Sequence, residues 1–173
     1  MLHDTSVRYG SLTRFFHWLV AVLVIHQFFK IADRINDGEH WVGDTFGPYH
    51  VSFGALILVL TLLRLFWRGK QSERPINTDS FAALANLSHK IMYVCMLALP
   101  PLGALAVVGH GHPVKIFGFT LIEKPADKIG WAHSIGELHS PIALLLCFLV
   151  ILHTAAALYH HFIRKDDVLK RMV

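Results

Sequence analysis

Charge is what this sequence has least of. Of 173 residues, 16% are Asp, Glu, Lys or Arg and 54% are hydrophobic, with a mean hydropathy of +0.47. A soluble domain of this size carries more charge and breaks its apolar residues into strands or amphipathic stripes. Cysteine is nearly absent too: Cys95 and Cys147 both fall inside long apolar runs, where they read as small packing residues. No CxxCH occurs, which excludes covalent attachment of a c-type haem. Walker, GxGxxG, GxSxG and HExxH signatures are all missing, as are internal repeats and low-complexity tracts, and no nucleic-acid partner is expected. The opening stretch MLHDTSVRYGSLTRFFHW has no small-residue cleavage site, so the first apolar run is expected to stay in the mature chain.

What the sequence does have is apolar length. A span needs about 20 mostly apolar residues to cross roughly 30 Å of hydrocarbon. Four windows qualify, at about 15–33, 51–68, 82–108 and 137–162. The expected fold is an all-α integral membrane protein, one four-helix bundle over residues 1–173. Ser11 and Thr13 are candidate N-caps for span 1. Pro100 and Pro101 are expected to kink or break span 3, whereas Pro141 sits in a first turn where its missing N–H is harmless. If both termini share a side, that side holds Arg8, Arg14, Arg64, Arg68, Lys70, Arg74, Lys90, Arg164, Lys165, Lys170 and Arg171. Only Lys30, Arg34, Lys115, Lys124 and Lys128 lie opposite, so the termini are expected in the cytoplasm of a multi-pass inner-membrane protein. The outer loop from Gly109 to Ile135 is rich in apolar residues, Phe117, Phe119 and Trp131 among them, and is expected to cap the bundle or lie at the interface.

Thirteen histidines stand out against this apolar background, and helical geometry sorts them. His139 and His153 are fourteen residues apart in LHSPIALLLCFLVILH, a rise of ~21 Å. At ~100° per residue they lie within about 40° of one face. One face of span 4 therefore presents an imidazole near each membrane surface, as two haems stacked across a bilayer require. His17, early in span 1, matches the depth of His153, and His50, at the outer start of span 2, matches His139. Neutral imidazole is a good iron ligand, and bundles build cofactor sites from facing helices. A single buried histidine is more simply explained by a hydrogen bond to a carbonyl; two depth-matched pairs are not. His26 lies about 180° from His17 on the same helix and cannot join that site. His133 points about 120° from His139. His110 and His112 read as solvated loop residues, His3 and His40 as surface residues. His89, at the inner start of span 3, is the rival to His17. The spans hold no Asp or Glu except at their edges, where a histidine-based cation transporter would need carboxylates.

The stretches RFFHWLV, YHVSFGALILVLTLLRLFWR, HKIMYVCMLALPPLG and LHSPIALLLCFLVILH, followed by ALYHHFIRKDDVLKRM, resemble the bacterial cytochrome b561 family over nearly the whole chain. The resemblance is to its superoxide oxidase type, and less to the b-type subunits of nickel–iron hydrogenases and formate dehydrogenases. It implies two non-covalent b haems with bis-histidine ligation, and carries the ligand roles onto His17, His50, His139 and His153. It further implies an oxidoreductase passing electrons from superoxide outside to ubiquinone in the membrane. The alternatives are an anchor subunit carrying electrons from a periplasmic dehydrogenase or hydrogenase to quinone, and a haem-free structural or transport protein.

Two expectations follow from that function. Lys115, Lys124 and Lys128, with Lys30 and Arg34, would steer the superoxide anion to the outer haem. His160 lies seven residues after His153, ~10 Å further along the helix and only about 20° off its face. It is the candidate hydrogen-bond and proton donor to quinone at the inner surface, because an imidazole titrates near neutrality. Arg64, Arg68 and Tyr159 would line the same region, anchor at the interface or meet haem propionates.

Overall fold

A computed structural model of the protein describes residues 1–31, 41–73, 75 and 81–173; Arg34, His40 and Arg74 lie outside the described residues. Four long helices dominate: α1 (Ser11–Phe28), α3 (His50–Gly69), α4 (Ala82–Gly109) and α6 (His139–Tyr159). A short helix α2 (Trp41–Phe46) and a 3-10 turn (Gly47–Tyr49) precede α3, and a π-helical turn (His160–Arg164) extends α6. The described stretches Ser11–Phe28, Asp44–Gly69, Ala82–Gly109 and Gly130–Arg164 are each long and apolar enough to cross a membrane. The chain is a four-helix membrane bundle.

Its apolar residues sort by what they face. Val20, Leu23 and Val24 of α1, Ile57 and Leu60 of α3, Met92, Cys95 and Met96 of α4, and Leu146 of α6 form one buried core. Val22, Val59, Val94 and Ile151 point outward and stay exposed. Lipid accepts an apolar side chain as readily as a core does, so these helices carry little amphipathic pattern. Cys95 is buried, Cys147 half-buried, and neither is in a disulfide.

Three local readings of the sequence are revised. Helix α1 begins at Ser11 and ends at Phe28, earlier at both ends than the hydropathy window. Its N-cap is Gly10; Ser11 is already helical, and the Asp4 carboxylate accepts hydrogen bonds from Gly10 N–H (2.8 Å) and Thr13 Oγ1 (2.6 Å). A side chain at Gly10 would meet the Leu2 carbonyl at 2.2 Å, so the chain folds back tightly here. Helix α4 runs unbroken through Pro100 and Pro101, so of the expected kink or break the break is absent: inside a bilayer, unravelled backbone would lose more hydrogen bonds than two missing donors cost.

Both termini meet at one end. Tyr9 N–H donates to the Arg171 carbonyl (3.2 Å) and Trp18 Nε1 to that of Met172 (3.0 Å). At the other end, antiparallel strands β1 (Val114–Ile116) and β2 (Phe119–Ile122) form a hairpin, followed by helix α5 (Gly130–Gly136). Gly109 and Gly136 let α5 lie against α4: a Cβ on either would fall within 2.5 Å of the facing backbone. The hairpin turns at Phe117 (φ 48°) and Gly118 (φ 87°). A phenylalanine in the left-handed region is strained, and here its N–H is held by the Ser52 hydroxyl at 2.9 Å. The loop from Gly109 to Ile135 is thus an ordered cap tied to the start of α3.

A candidate haem-binding site between the helices

His50, the first residue of α3, and His139, the first of α6, face each other with ring centroids 6.0 Å apart. His17 of α1 and His153 of α6 do the same at 6.3 Å. An imidazole nitrogen binds a metal at about 2.0 Å and lies about 1.1 Å from its ring centre, so two rings trans across one ion are separated by roughly 6.3 Å. Both pairs have that spacing. Among the described residues no three His, Cys, Asp or Glu side chains gather as a compact ion site would require. Paired imidazoles without a surrounding carboxylate or thiol set suit a haem, whose macrocycle would supply the other donors.

The sequence also raised His89 as a partner for His153. The structure brings the two together differently: centroids are 5.1 Å apart, with His89 Nε2 and His153 Nδ1 at hydrogen-bond distance, 3.3 Å. Two nitrogens on one ion stand about 4 Å apart, so this pair is bonded directly and leaves no room for an ion between those nitrogens.

Three of the four imidazoles, those of His17, His139 and His153, have a polar neighbour at Nδ1. His139 Nδ1 donates to the Leu99 carbonyl at 2.9 Å, which leaves Nε2 as the lone-pair nitrogen, the arrangement of metal-bound histidines generally. Gly103 makes this possible, since its missing Cβ would lie 3.1 Å from the imidazole Cε1 and Nδ1. His17 Nδ1 lies 3.1 Å from Arg64 Nη2. A guanidinium only donates, so this contact puts the His17 proton on Nε2. Were His17 to hold a haem through Nε2, its proton would sit on Nδ1 and Arg64 would be free to meet an acceptor, for which a haem carboxylate is chemically apt. Beside the His50–His139 pair lies a cavity of about 180 Å³, lined by those two residues, Gln27, Lys30, Met96 and Pro100 among others. Gln27 Nε2 is buried there without a partner, so the cavity offers an orphaned donor beside the Lys30 side chain, as an anionic group requires. The residues fit the group.

The other histidines stay apart. His26 sits in an aromatic nest, 4.7 Å from Phe53 and 5.5 Å from Phe46. His110 and His133 stack edge to face at 4.5 Å in the cap, and His110 Nδ1 bonds the Ala106 carbonyl. His112 is exposed, and His3 stacks on Trp67 at 5.0 Å. His160 lies at the junction of α6 with the π-turn, its Nδ1 donating to Asp166 Oδ2 at 2.6 Å. Slight burial pushes the Asp166 carboxyl up, but the bonds from His160 and the Val168 N–H, with the nearby charges of His160 and Arg164, hold it below the usual carboxylate range. Among the steering candidates, Lys115, Lys124 and Lys128 are exposed and Lys30 reaches the cavity. Gly103, the Leu99 carbonyl, Gln27 and the Ser52–Phe117 tie went unread in the sequence, because each acts through packing that only the folded helices create.

Four membrane helices carrying imidazole pairs at two depths define a transmembrane b-type cytochrome. The sequence profile of prokaryotic cytochrome b561 matches residues 8–173, and the chain belongs to that family. Curated relatives include cytochrome b561 homolog 2 of Escherichia coli (strain K12), 31% identical across 98% of this chain and 93% of that protein. A probable superoxide oxidase, CybB of Yersinia pestis, is 28% identical across 96% of each chain. Cytochrome b562 of Cereibacter sphaeroides is 26% identical across 91% of this chain and 89% of that one. Membership makes this a bacterial multi-pass membrane protein of electron transfer with b-type haem.

Proposed function

We propose that the chain binds two non-covalent b haems, one between His50 and His139 and one between His17 and His153, and carries electrons from periplasmic superoxide to ubiquinone. The two ring separations, 6.0 and 6.3 Å at opposite ends of α6, carry the haem assignment. The probable superoxide oxidase among the relatives supports the choice of donor, as does the shortness of the inner tail and loops; the cap is the surface left for a protein partner. When bound, each haem supplies a one-electron carrier. The net reaction balances simply: two superoxide anions leave as dioxygen, and quinone takes up two electrons and two protons. The excess of Lys and Arg on the side of the termini supports a cytoplasmic location for both, and in this reading the protons come from His160 on that side. There Asp166 holds the imidazole through Nδ1 and orients its other nitrogen.

The test is haem content in single substitutions. His50→Ala or His139→Ala should remove one haem per chain and spare the other; His17→Ala or His153→Ala should remove the complementary one. Loss of the inner haem in His89→Ala but not in His17→Ala would overturn the assignment of α1.

A further inference from the structure

A third imidazole stands behind the inner pair, and we propose that His89 is a positioning residue for His153: it accepts a hydrogen bond from His153 Nδ1–H, turns Nε2 toward the iron and makes that nitrogen a stronger donor. The inference rests on the dihaem reading above. His89 Nε2 lies 3.3 Å from His153 Nδ1, with the ring planes at 72°, and both residues are partly buried. Two neutral imidazoles share a single proton in such a bond, so its direction has two possibilities. If His89 donates, His153 keeps its own proton on Nε2 and cannot ligate through that atom. Ligation by His153 therefore fixes the direction: His153 donates and His89 accepts.

The outer end makes the same arrangement with a different acceptor. His139 Nδ1 donates to a backbone carbonyl, that of Leu99, at 2.9 Å. That acceptor belongs to the helix and varies little with sequence. His89 is a side chain, and imidazole nitrogen is a stronger base than a peptide oxygen. An acceptor that draws the Nδ1 proton away raises the electron density at Nε2, which stabilises the oxidised metal and lowers its potential. His89 thus gives the sequence a control on the inner haem that the outer haem lacks.

The experiment is a redox titration of purified protein, monitored in the visible spectrum, for the unsubstituted chain, His89→Leu, His89→Phe and His89→Gln, with haem content measured in each. Leucine and phenylalanine both remove the acceptor but differ in size, so a packing defect particular to one is recognised by comparison with the other. Both should raise the inner-haem midpoint, leave the outer midpoint unchanged and weaken inner-haem retention by about 10-fold or more, as loss of a ligand-orienting bond does. His89→Gln keeps an acceptor oxygen and should move the midpoint back toward the original. An unchanged inner midpoint in His89→Leu or His89→Phe protein that keeps two haems would overturn the proposal alone. Unsubstituted protein with no b-type absorbance would overturn the dihaem reading beneath it.

Discussion

An imidazole whose Nδ1–H is committed to an acceptor has one nitrogen left for a metal; His139 and His110 both meet that condition, but only His139 has a second imidazole, that of His50, at the 6.0 Å ring separation an ion between them needs. The same residue-scale logic applies at His160, where the 2.6 Å bond to Asp166 fixes one nitrogen and orients the ring. His160→Ala is expected to retain both haems and normal reduction by superoxide, while onward transfer to quinone slows by about 10²-fold, the usual worth of a positioned proton donor. Asp166→Asn should slow it less, since the ring loses a charge partner but keeps an acceptor. The depressed Asp166 carboxyl sets the sign of the acid dependence. The tether is complete above the ordinary aspartate value of about 3.9 and is lost as pH falls through its lower folded value. Rapid-mixing kinetics at the haem bands, with quinone present, measures each of these; an unaltered quinone-reduction rate in His160→Ala would place the site elsewhere.

At the scale of elements, α6 is a ruler with an imidazole near each end, and the other helices are set against it. The sequence showed this much because a fourteen-residue spacing on one helix translates directly into depth and face, and apolar length translates directly into spans. It did not show how closely helices approach. Gly103 reads as an ordinary membrane glycine until His139 is seen 3.1 Å from its missing Cβ. Nor did it show that Asp4, seven residues before the start of α1, would tie down that start in place of Ser11, or that Pro100 and Pro101 would leave α4 continuous. Those outcomes depend on what surrounds a backbone group, which periodicity does not encode. Gly103 carries a prediction of its own. Gly103→Leu should push the His139 ring off the Leu99 carbonyl and abolish the outer haem while the inner haem remains. Gly103→Ala, a tight fit, should keep both with weakened outer-haem retention. Haem quantitation of the two variants, read at each haem's own absorbance, checks the order; equal occupancy in all would mean that the α4–α6 approach does not position His139.

Across the whole molecule the charges qualify the idea of steering. Within the cap, Lys115, Lys124 and Lys128 are offset by Glu123 and Asp127, three charges against two, so the cap presents little net positive field. Attraction of a small anion must then be local, and Lys30 is the cation that lines the cavity with His50 and His139. Lys30→Gln should lower the superoxide rate several-fold, within the 10-fold scale of local focusing, and more than reversal of Lys124 and Lys128 together. The effect should shrink as salt shortens the Debye length from about 10 Å at 0.1 M. A rate insensitive to salt and to both changes would remove steering from the account.

The central claim, that this chain alone carries electrons from superoxide to quinone, is tested most directly by stopped-flow mixing of the purified, oxidised protein with superoxide, first without and then with ubiquinone. The account predicts that superoxide reduces the b-type bands with no protein partner present, and that quinone reoxidises them, with one quinol formed for every two superoxide anions consumed. Haems that stay oxidised until a dehydrogenase is added would contradict it and make the chain an electron-carrying anchor subunit.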